Sequence, residues 1–94
     1  MDNKAGCVIV ASTDAKVTRI FSNILALKNY SILVAKEKLT VIWDALDSDV
    51  KCLVIDLESF FDEERVFINI IKKIRPRLPI VTIHAENREI SDCQ

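Results

Sequence analysis

Residues 51–58 read Lys-Cys-Leu-Val-Ile-Asp-Leu-Glu, and this stretch, KCLVIDLE, decides the fold. From Cys52 to Leu57 it is apolar on both faces except at Asp56. Strict alternation marks a strand with one wet face; a continuous apolar run marks a strand covered on both. Covering both faces takes helices on each side of a parallel sheet. The residues upstream and downstream repeat the unit.

Cys7–Ala11 (CVIVA) is a first short β-branched run, Tyr30–Ala35 (YSILVA) a second, and Ile80–Ile83 a fourth after KCLVIDLE. Between the first two, Asp14 stands where a helix N-cap belongs, since its carboxylate can accept from free first-turn amides. Val17, Ile20, Phe21, Ile24, Leu25 and Leu27 follow at helical spacing as one apolar face. Lys28-Asn29 closes that helix with a cation and a residue tolerant of left-handed geometry. A weaker second helix carries Leu39, Ile42, Trp43 and Leu46, and Asp47-Ser48-Asp49 breaks it. In the third, Asp62-Glu63-Glu64 opens and Lys72-Lys73-Arg75 closes, both signs matching the helix dipole. Its core stripe is Phe67, Ile70, Ile71 and Ile74, and Pro76 and Pro79 bracket its exit. Residues 86–93 are expected to begin a fourth helix, on few apolar residues. The order β-α-β-α-β-α-β with short loops implies right-handed crossovers.

Composition narrows the function. The 94 residues suffice for one small domain, half of them hydrophobic and 29% charged, which excludes a disordered chain. A net charge of −1 removes a bulk electrostatic case for nucleic acid. No apolar run approaches the ~20 residues of a membrane span, and MDNKAGC is no signal peptide. Three cysteines without metal-ligand spacing argue against zinc and a disulfide framework, and a reducing cytoplasmic setting is expected. The single glycine, Gly6, rules out glycine-rich phosphate cradles.

Taken in order, VIV, the TRIF segment (Thr18–Phe21), NYSILVA, KCLVIDLE and IIKKIRPRLPIVTIHA resemble the receiver domain of two-component response regulators across nearly the whole chain. The last two stretches are the most specific. The resemblance implies an α/β, flavodoxin-like (CheY-like) three-layer sheet in order 2-1-3-4, with the family's fifth strand and helix missing. It implies one receiver-like domain over residues 1–94, the N-terminal part of a longer regulator.

It also puts Asp56 at the phospho-acceptor position. The family's chemistry there relies on Mg²⁺ held by an acidic pair after the first strand. Here those positions are Ala11 and Ser12, neither a carboxylate. His84 replaces the hydroxyl-bearing switch residue, and Glu58-Ser59-Phe60-Phe61 replaces the Met-Pro-Gly turn. The lysine that ends the fifth strand has no counterpart. A degenerate receiver, or pseudo-receiver, is the implied class.

Other residues admit a functional and a structural role side by side. Asp56 is either an acceptor or a strand-end carboxylate that is solvated or paired. His84 is a ligand, sensor or switch mimic, or a strand-end histidine with ordinary hydrogen bonds. Glu58, Glu86 and Asp56 could converge on a cation, or stand as solvated loop acids. Lys72, Lys73, Arg75 and Arg77 form the only basic cluster, which a helix C-terminus explains without function. Phe60-Phe61 is read as a hydrophobic plug at the third helix, or as a partner-binding knob. Trp43 is assigned to the core. Cys7 and Cys52 start neighbouring strands and are expected close together, as inert thiols.

The expected function is non-enzymatic: signal transduction by protein–protein contact, without cofactor, membrane or nucleic acid. One alternative is a working phospho-receiver using Mg²⁺ and Asp56. Another is a STAS-like anti-sigma antagonist domain, with Ser59 as the candidate phosphorylated serine. Adjacency of the first and third strands is what a receiver requires. A homodimer is also expected, through an open edge at Ile80–Ile83 or a face beside the first helix.

Overall fold

The computed structural model describes residues 5–60, 64–84 and 89–92. Strands β1 (Cys7–Ala11), β2 (Ser31–Ala35), β3 (Val50–Asp56) and β4 (Ile80–His84) are parallel, in order β2-β1-β3-β4. The parallel sheet is what the alternating sequence implies, and the order is the flavodoxin-like one that the resemblance implies. Helices α1 (Ala15–Leu27), α2 (Lys38–Ala45), α3 (Leu57–Phe60) and α4 (Glu64–Ile74) complete the crossovers. The first described residue of the third crossover helix is Glu64; Phe61, Asp62 and Glu63 lie outside the described residues.

The strand parity produces two cores. Ile9, Ala11, Leu53, Ile55 and Ile80 point to one face, where Val41 and Ala45 of α2 and Phe67 and Ile71 of α4 cover them. Val8, Val10, Val54 and Ile83 point to the other, packed with Val17, Phe21 and Leu25 of α1. Phe60 joins the first core, its ring 5.7 Å from that of Phe67, which fits the plug role. Both helix ends of α1 form as their residues dictate. Asp14 accepts from the Lys16 amide, and Asn29 takes φ 66° while the Tyr30 amide returns to the Leu25 carbonyl.

Several expectations are corrected. A fifth strand, β5 (Glu89–Asp92), runs antiparallel along β4, with Ile83 opposite Ile90. It replaces the expected helix over those residues, and the β4 edge is not open. Bare strand edges recruit a partner strand, and this segment has too few apolar residues to bury a helical face. Residues 86–88 and 93 of the expected helix lie outside the described residues. On α2, Val41 and Ala45 face the sheet, and Leu39, Trp43 and Leu46 are exposed; Trp43 is not core. Small side chains at 41 and 45 let the helix lie close to the sheet and turn its larger stripe outward. On α1 only part of the apolar face is used, and Ile20, Ile24 and Leu27 are exposed. Ile70 of α4 is likewise exposed. Cys7 and Cys52 belong to opposite faces, because Cys52 pairs with Val8 and successive strand residues alternate between faces.

Arg75 has a structural task. Its guanidinium donates to the carbonyls of Ala45 and Asp47 at 2.8 Å and of Val50 at 3.0 Å. These are C-terminal carbonyls of α2 and the start of β3, groups a helix end leaves without intrahelical partners. Arg75→Met should therefore cost about 2–3 kcal/mol by chemical denaturation, since hydrogen bonds to a charged group contribute about 1.5–3 kcal/mol. Gly6 has φ 143°, and a Cβ there would lie 2.5 Å from Lys51 Cγ. Gly6→Ala should destabilise by about 1–3 kcal/mol, the scale of backbone strain in glycine-only regions. A midpoint in urea equal to that of the parent chain would contradict either assignment.

Candidate functional site

In an open parallel sheet, groups converge outside the carboxyl ends of the strands, where the strand order reverses. Here the chain leaves β1 for β2 on one side and returns to β3 on the other, so the reversal falls between β1 and β3. Ser12 follows β1 and Asp56 ends β3, which places both at that point.

Asp56 is only 5% exposed and Ser12 is fully buried. Ser12 Oγ donates to Asp56 Oδ2 at 2.8 Å, in a contact between residues far apart in sequence. The Ser59 hydroxyl donates to the same oxygen at 3.3 Å. The Glu58 amide donates to Asp56 Oδ1 at 3.2 Å. Asp56 thus serves as the N-cap of the short helix α3, and the helical turn brings Ser59 back over its carboxylate. Outside this ring, Ser59 Oγ accepts from the Thr13 amide at 2.9 Å and lies 3.0 Å from Thr13 Oγ1. Ser12 Oγ in turn accepts from the Asp14 amide at 3.0 Å. The result is a chain of hydroxyls joining the loop after β1 to the turn after β3.

The arrangement defines what the carboxylate can do. A buried charge needs hydrogen bonds or a counter-ion. Asp56 meets this with two hydroxyls and one amide. Mg²⁺ takes six oxygens in near-octahedral array, with one or two carboxylates and several waters. Ala11 is buried and brings no ligand, Ser12 brings a neutral hydroxyl already committed to Asp56, and Glu58 is exposed. This donor set does not suit that ion. Among the described residues, no group of three His, Cys, Asp or Glu side chains could hold a metal.

The other candidates fall elsewhere. His84 ends β4, in register with Glu89 of β5. Glu86 lies outside the described residues, so the proposed grouping of Glu58, Glu86 and Asp56 is not formed by described residues alone. Of the basic cluster, Arg75 is spent on backbone carbonyls, while Lys73 and Arg77 are exposed and Lys72 half-buried. Ser59, a partner of Asp56, and Thr13, a partner of Ser59, are the site residues that sequence spacing passes over. The signal for Ser59 is its position three residues after Asp56, visible only once α3 is known to be helical. Among the described residues, no helix is long and apolar enough to cross a membrane. No protein-family model, curated protein or solved structure matches the chain.

The tie between Ser12 and Asp56 should be measurable. Ser12→Ala leaves a buried carboxylate short of one donor and should cost about 1.5–3 kcal/mol. Ser59→Ala, at a longer and more exposed contact, should cost less. Equal losses from the two variants, read by urea unfolding, would contradict this ranking.

Proposed function

We propose that this chain is a receiver-like signalling domain that works through protein–protein contact, with Asp56 at a degenerate phospho-acceptor position. The observation that carries the proposal is the closed carboxylate. Asp56 ends β3 at the reversal of the sheet order, and Ser12 donates to it from the position where a working receiver has a metal-binding acid. Parallel pairing of β1 with β3 supports a receiver-like topology over the STAS-like alternative, as does the position of Ser59, which is engaged with Asp56 and Thr13.

Attack of a carboxylate on phosphorus requires free lone pairs and neutralisation of the phosphoryl oxygens. Here one carboxylate oxygen accepts two hydroxyls and the other accepts an amide, so all three donors are neutral. Opening the site means breaking the Ser12 and Ser59 bonds inside a buried pocket. A domain of this kind presents a surface that does not depend on phosphate.

Incubation with acetyl phosphate and millimolar Mg²⁺, followed by intact mass spectrometry, tests the proposal. The expected result is no phosphoryl adduct, and no saturable Mg²⁺-dependent NMR shifts at Ser12 or Asp56. An adduct that disappears in Asp56→Asn would establish a working phospho-receiver instead.

A further inference from the structure

We draw no further inference here: the strongest candidate, the exposed apolar stripe of Leu39, Trp43 and Leu46 along α2 and its C-cap, carries nothing because nothing in the structure shows what covers it.

Discussion

Strand β1 is the constraint on which the structure rests. Val8, Ile9, Val10 and Ala11 are all buried, and the strand is hydrogen-bonded along both edges, to β2 and to β3. With no polar side chain in Cys7–Ala11, neither face of it can meet water without loss. The chain satisfies both faces only by passing a helix over each, α1 on one side and α2 with α4 on the other. Right-handed crossovers then set β2 and β3 on opposite sides of β1. The place where these crossovers diverge is fixed by the same strand, and it is there that Ser12 and Asp56 meet.

Burial at that place decides the chemistry. Asp56 cannot be left bare inside a sheet end, because an uncompensated buried carboxylate costs several kcal/mol. The surrounding residues supply neutral donors: Ser12, Ser59 and the Glu58 amide. Neutral donors hold the charge by directional bonds and occupy three of the roughly four lone-pair positions of the carboxylate. A carboxylate held in this way braces the loop after β1 against the turn after β3. The hydroxyl chain through Thr13 extends that brace to the start of α1.

How far this could be read from the residues differs by element. The four parallel strands and the Asp14 and Asn29 helix ends were legible, because they depend on local apolar runs and on caps within a few residues. The resemblance marked Ser12 as a site position without a carboxylate, but its bond to Asp56 joins two distant strands and carries no local signal. Trp43 and Leu39 were not legible, since helical spacing shows that a stripe exists but not which of two stripes meets the sheet. Val41 and Ala45 won that contact by being small. The strand Glu89–Asp92 carries little pattern of its own and forms by pairing with β4, a tertiary effect. Arg75 reads locally as a dipole-favoured cation, yet its partners lie on α2 and the start of β3, well back in the sequence. Ser59 depended on α3, a single turn too short to announce itself by periodicity.

Two apolar stripes remain exposed among the described residues, Ile20, Ile24 and Leu27 on α1 and Leu39, Trp43 and Leu46 along α2 and its C-cap. On both helices the buried positions belong to smaller residues, Val17 on α1 and Val41 with Ala45 on α2, so the larger apolar side chains are turned outward. Charge does not separate the two stripes, because each helix is flanked by both signs: Asp14 and Lys28 on α1, and Lys36, Glu37, Asp47 and Asp49 on α2. The helices cover opposite faces of the sheet, so a contact made on one leaves the other open.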